Sequence, residues 1–274
     1  MHIVRPPAVA GAFYPGEAAA LAGTLASLLA AARAQRQDQD TSTLRPKALI
    51  VPHAGYIYSG AMAALAYVQL AALRDTVRRV VLLGPAHRIP LRGLALPGAD
   101  ALATPLGQVP IDTQAVAALA ALPQVTTHSA AHAQEHALEV QLPFLQTVLD
   151  DFTVLPLVVG HTTPEEVAQV LDAVWGGPET LIVISSDLSH YLPYPRAQRV
   201  DEDTVQRILT LQGPLTHEQA CGGTPINGLL LAARKHGLRP RLLGLCNSGD
   251  TAGDRRRVVG YAAIAFTEER RVVH

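Results

Sequence analysis

Three apolar runs in this chain end in residues able to ligate a metal or pass a proton. ALIVPHAGY leads to His53, VVLLGPAHR leads to His87, and LIVISSDLSHY leads to Asp187 and His190. A short Val/Ile/Leu run stopped by Pro or Gly reads as a buried parallel strand. In open α/β sheets, ligands sit outside the carboxyl ends of such strands. Three distant segments are thus expected to deliver imidazoles and a carboxylate to one edge. Neutral imidazole is the commonest metal ligand and a ready acid or base near neutral pH, so the pattern points to a metal or acid–base site.

Each motif also has a plain structural reading. His53 follows Pro52, and Gly55 permits a tight turn before the next helix. Ser186 or Asp187 could be a helix N-cap. Were a helical turn to start there, Asp187 and His190, three apart, would share a face. Glu135 and His136 open the stretch EHALEVQLPFL, with Glu139 four residues after Glu135. They are expected beside the pocket as support for the ligands. His128, His132 and His136 fall at i, i+4 and i+8, but the intervening residues need not be helical. His128 and His132 are therefore expected on the surface. In the polar turn NSGDTAGD, Asp250 or Asp254 could supply a carboxylate, or the turn could be only a hairpin. Cys246, at the end of its strand, is an alternative soft ligand. Cys221, in CGGTP, reads as the end of a helix beside a glycine turn.

The positioning elements follow from periodicity. Helices are expected over residues 17–36, 61–73, 113–122, 133–150 (with Pro143 as a kink or new first turn), 198–211, 216–221 and 225–236. Thr163 is expected to cap the helix that begins at Pro164. Residues 1–16 are too rich in Pro and Gly for regular structure, and residues 32–46 read as a frayed helix end and exposed loop. Strands and helices alternate, which argues for α/β architecture with a largely parallel or mixed sheet. The last two strands could be antiparallel. No internal repeat or linker divides the chain, so residues 1–274 read as one domain.

Composition narrows the classes. The 274 residues are 49% hydrophobic and 16% charged, enough for a substantial core. A formal net charge of −1 gives no electrostatic case for nucleic acid or an anionic membrane. Two cysteines cannot build a disulfide framework, and a reducing cytoplasm fits. No signal peptide or membrane-spanning run is evident. No Walker A loop, G-x-G-x-x-G fingerprint or G-x-S-x-G elbow occurs.

Seven ordered blocks, RPPAVAGAFYP, VPHAGYIYSG, LLGPAHR, EHALEVQLPFL, SSDLSHY, CGGTPI and SGDTAGDRRRVVGYAAIAF, resemble the Memo family. Its bacterial members are called AmmeMemoRadiSam system protein B. The resemblance runs from residue 5 to 266. It implies an α/β domain similar to class III extradiol dioxygenases, which hold Fe(II) with two histidines and a glutamate. On that pattern His53 and His87 are metal ligands, and Asp187 and His190 are further pocket residues. No Glu stands in the SGDTAGD loop, so Asp250 is expected as the third ligand, with His190 as the substitute.

The implied cofactor is Fe(II), with Cu or Zn as alternatives. The implied role is redox or oxygen-dependent chemistry on a small molecule. The rivals are a binding module that holds a peptide or protein in the same pocket, and a metal-dependent hydrolase with Asp187 as base. The resemblance also implies a functional link to AMMECR1-type and radical-SAM proteins.

Overall fold

The computed structural model describes residues 2–37 and 44–268. The part of the expected exposed loop at 38–43 lies outside the described residues. Four parallel strands form the centre of a nine-stranded sheet, in the order Pro46–Val51, Thr180–Ser185, Arg79–Pro85 and Thr153–Val159. They are Val/Ile/Leu-rich and buried almost throughout, as strands covered on both faces must be. Val258–Glu268 adds antiparallel to the Pro46–Val51 edge and carries Leu238–Asn247 and the short His190–Leu192. Leu94–Leu96 adds antiparallel at the other side and pairs with Val125–Thr127. A separate three-stranded sheet joins Val4–Arg5, Ala101–Thr104 and Gly107–Pro110, so the N-terminal segment does acquire a short strand.

Helices cover both faces and define two apolar clusters. One contains Leu21, Leu25, Tyr67 and Phe144, and the other Val167, Leu171, Ile226 and Leu230. Ala18–Gln37, Pro164–Ala173 and Gly223–His236 lie close to their expected places. Thr163 caps Pro164–Ala173 through a capping box with Glu166. The helix Tyr56–Tyr67 starts five residues earlier than expected and tightens into a 3-10 turn over Val68–Leu73. By length and hydropathy Tyr56–Leu73 could cross a membrane, but 72% of it is buried inside the protein. It is a core helix. Residues 216–221 form turns rather than a helix.

The largest departure from expectation lies over residues 133–150. In place of one helix there is a short helix Ser129–Ala133, a break, a 3-10 turn Glu139–Gln141 and a helix Leu142–Val148 with Pro143 in its first turn. Side chains claim the backbone groups a helix would use. The Glu135 carboxylate accepts the amides of His136 and Ala137, each at 2.9 Å. Ser185 Oγ donates to the Ala137 carbonyl at 2.6 Å. Arg5 donates to the carbonyls of His132 and Glu135. Such local competition melts helices, and here it delivers His136 to the sheet edge.

Candidate metal centre

The carboxyl ends of three adjacent parallel strands open into the site. Pro46–Val51 leads through Pro52 to His53, Arg79–Pro85 leads through Ala86 to His87, and Thr180–Ser185 leads through Ser186 to Asp187. The fourth component is the broken segment 134–138. Gly84 allows it to lie on the strand ends: a Cβ at Gly84 would stand 2.9 Å from Leu138 Cδ2 and 3.1 Å from the Ala137 Cβ.

His53, His87 and His136 each offer one ligand atom, and the three atoms lie within 4.8 Å of one another. The ring centroids are 5.2 Å apart for His53 and His87, 5.4 Å for His53 and His136, and 4.8 Å for His87 and His136. His53 is only 2% exposed, whereas the His87 side faces solvent. The cluster is therefore anchored inside and open at one flank.

Hydrogen bonds fix which nitrogen of His53 can serve. Ser185 Oγ gives its one proton to the Ala137 carbonyl and accepts from Gln141 Nε2 at 2.8 Å. A hydroxyl has one donor and two acceptor positions. At 3.0 Å from His53 Nδ1 it must accept there too. Nδ1 of His53 carries the proton and Nε2 carries the lone pair. His87 is set in the same sense: Nδ1 lies 2.9 Å from Glu135 Oε1, and its backbone amide donates to Glu135 Oε2 at 2.7 Å. A carboxylate behind an imidazole fixes the tautomer and increases its basicity.

Burial keeps two of the three imidazoles, His53 and His136, neutral. It lowers the pKa of His53 to about 3, with His87 adding to the effect. It lowers His136 to about 4, with His53 adding. Burial alone would raise Glu135, but its bonds from His87 and the backbone amides win and hold it at about 2. His136 Nδ1 is buried without a hydrogen-bond partner, a state that buried polar atoms rarely tolerate unless another ligand completes it. Two neutral imidazoles beside His87, with His136 Nδ1 making only a 3.4 Å approach to Glu135 Oε1, suit a transition-metal ion.

Asp187 is buried, and Oδ1 accepts the His53 amide at 2.7 Å. Burial raises its pKa, against the pull of His190, His136 and His87. Asp187 and His190 do not share a helical turn. Residues 186–189 are irregular, and His190 begins the strand that pairs with Val258–Glu268. Cys221 was legible only as a helix end. It lies on the turn before Gly223–His236, with Sγ 3.3 Å from His53 Nε2. Burial and the nearby Asp187 push its thiol up to about 12, so it is protonated.

The structure brings His136, not Asp250, to His53 and His87. The Asp250 carboxylate closes its own turn, with Oδ1 accepting the Tyr194 hydroxyl at 2.5 Å and Oδ2 accepting the Asn247 amide at 3.0 Å. Asp254 pairs with Arg256 at the surface. Cys246 faces Asp250 and Asp201 and lies outside the cluster. His128 is exposed and caps the helix Ser129–Ala133. His132, expected on the surface, is buried with Nε2 2.7 Å from the Ala95 carbonyl. Glu139 is a buried anchor: it accepts from the amides of Ala8 and Val9, the Tyr14 hydroxyl and Arg5. It ties the N-terminal segment over the site, where the Phe13 ring lies 4.7 Å from that of His136. Beyond Phe13 is a cavity of about 480 Å³, walled by Tyr14, Leu28, Tyr56, Tyr58 and Thr251.

Fold and site together define an α/β protein with a three-imidazole cluster at the carboxyl edge of its parallel strands. A family model described as Memo-like protein matches residues 5–265, and the chain belongs to the Memo family. It is 35% identical to a MEMO1 family protein of Ignicoccus hospitalis and 35% identical to one of Aquifex aeolicus, with 96% of this chain and 99% of the relative covered in both. A MEMO1 family protein of Archaeoglobus fulgidus is 34% identical over the same shares. Among solved structures, an uncharacterized protein of Escherichia coli K12 shares the fold. Its TM-score is 0.53 at 17% identity, covering 79% of this chain and 98% of that one.

Proposed function

We propose that His53, His87 and His136 hold a divalent metal, Fe(II) first, with Cu or Zn as alternatives. On this reading the protein carries out redox or oxygen-dependent chemistry on a small organic molecule. The observation that carries it is the convergence of three imidazoles, their ligand atoms within 4.8 Å of one another, at the sheet edge. Imidazole sets suit Zn, Cu and Fe alike. The preference for iron comes from the resemblance to class III extradiol dioxygenases. Once bound, the metal supplies a Lewis acid with open positions for exchangeable ligands.

The remaining roles belong to the chain. Ser185 and Glu135 orient two of the ligands. Asp187, with its pKa raised by burial, and His190 beside it form the pair that holds and moves protons. The cavity behind Phe13 offers room for the organic body of a substrate, and no charged side chain among the described residues lines it. The same cavity, with Ile57 71% exposed at its lining, supports a second reading: a peptide-binding module without turnover.

The test is metal content by inductively coupled plasma mass spectrometry on protein purified anaerobically without chelator. Close to one equivalent of iron is expected, lost in His53→Ala/His87→Ala while the fold remains. No bound metal, and no uptake of added Fe(II), Cu or Zn, would move the weight to the peptide-binding reading.

A further inference from the structure

Asp187 and His190 stand on a link, residues 186–189, that has no regular structure of its own. Its first half is tied to the strand ends, where the Ser186 amide donates to the Val51 carbonyl at 2.9 Å and Asp187 Oδ1 accepts the His53 amide at 2.7 Å, and three further contacts pin its second half. The Leu188 amide donates to the Gly260 carbonyl at 2.8 Å, and the Gly260 amide donates to the Ser189 carbonyl at 2.9 Å. The Ser189 amide, turned away from the sheet, donates to Asp201 Oδ1 at 3.0 Å. The link then leaves through Tyr191 at φ 58, a left-handed conformation that side chains disfavour. It is held in place against that preference.

Asp201 is unusual in its setting. It lies in the helix Tyr194–Leu209 and is only 2% exposed. No cation pairs with it among the described residues, and the other titratable group facing it is the Cys246 thiol. Burial raises its pKa to about 6. An unpaired buried carboxylate is costly, so a residue whose only task was to fill space would be better apolar. Strand Val258–Glu268 is shaped around it: a Cβ at Gly260 would fall 2.0 Å from Asp201 Oδ2. The Ser189 hydroxyl lies beside the same carboxylate, buried and without a completed hydrogen bond.

We propose that Asp201 is a positioning residue that fixes, through the Ser189 amide, where Asp187 and His190 stand beside the three-histidine cluster. It rests on the reading of those two residues as the proton-handling pair, and its test therefore observes the link directly. The elevated pKa adds a consequence. The carboxyl gains its proton near pH 6 and loses charge at the Ser189 amide, so the bond that holds that amide weakens there.

The experiment is nuclear magnetic resonance on the metal-free protein, with amide exchange and histidine ring signals followed from pH 5 to 7.5. In Asp201→Ala, the Ser189 amide should exchange at least about tenfold faster, a bond's worth of protection. The Ile182 amide in the central strand should be unchanged, and the His190 ring signals should move. Asp201→Asn keeps an acceptor. It should restore Ser189 protection and make it equal at pH 5 and 7.5, whereas in wild type that protection falls as the Asp201 carboxyl gains its proton near pH 6. Wild-type protection and His190 signals in Asp201→Ala, or Ser189 protection in Asp201→Asn that still falls towards pH 5 as in wild type, would overturn the proposal. If Asp201→Ala fails to fold, the Asn comparison decides alone. Added Zn(II) should bind all folded forms in equal stoichiometry. Failure of wild type to bind it would overturn the metal reading only, because the exchange result judges Asp201 either way.

Discussion

Replacing Glu135 by Gln removes one charge and one acceptor oxygen while keeping the shape. The carboxylate accepts four N–H groups: the His87 amide at 2.7 Å, and His87 Nδ1, the His136 amide and the Ala137 amide each at 2.9 Å. A glutamine has one acceptor oxygen and turns two donors towards the rest. Either the His87 amide alone, or the three groups on the other oxygen, then face an N–H. Each buried donor left unsatisfied costs about 1–3 kcal/mol. The smaller of the two disruptions therefore predicts a loss of about 1–3 kcal/mol, or roughly 2–12 °C in Tm for a chain of this size. Because Glu135 also fixes the His87 tautomer, metal affinity should fall about 10–100-fold. Thermal unfolding of the metal-free protein reads the first effect, and Zn(II) titration against a competing chelator reads the second. A variant that melts like wild type and binds Zn(II) within twofold of it would refute the argument that Glu135 supports His87 and breaks the helix.

Two further outcomes are expected. His132→Ala should destabilise the fold by about 1–3 kcal/mol, because it strips the buried Ala95 carbonyl of its donor, while His128→Ala at the surface should leave Tm unchanged; equal Tm values for the two variants would contradict the placement of His132. The metal-free protein should also lose stability as pH falls from 7 to 5. His53, His132 and His136 have folded pKa values of about 3, 4 and 4, so below about 6.5 only the unfolded chain takes up their protons, at about 2 kcal/mol each by pH 5. Asp187 and Asp201, raised by burial, act in the opposite sense and offset part of this; a Tm that holds or rises from pH 7 to 5 would show the histidines are not buried neutral.

The sheet edge was legible because its signals are local. Runs such as ALIV before Pro52 and LIVIS before Asp187 carry the apolar signature of covered strands, and strand ends are where α/β proteins place ligands. His53 and His87 followed directly. His136 was placed only as support, because its position depends on a helix that does not form. The signals that break it, Arg5 on two carbonyls and Ser185 on a third, come from residues distant in sequence. Helical spacing alone cannot show that competition. Asp250 lies apart from the cluster for a related reason. A Gly- and Asp-rich turn offers the same residues whether it ligates a metal or caps itself, and here Asn247 and Asp250 cap each other. Burial of His132 and Asp201 was equally hidden, since each is decided by what packs over it.

The claim that the metal centre is built from three histidines is tested most directly by X-ray absorption spectroscopy on Zn(II)-loaded protein, comparing wild type with His136→Ala and Asp250→Ala. Wild type should show three imidazole scatterers, His136→Ala two with weakened binding, and Asp250→Ala an unchanged spectrum. Loss of an oxygen scatterer in Asp250→Ala, with His136→Ala unchanged, would contradict it and restore the two-histidine, one-aspartate centre.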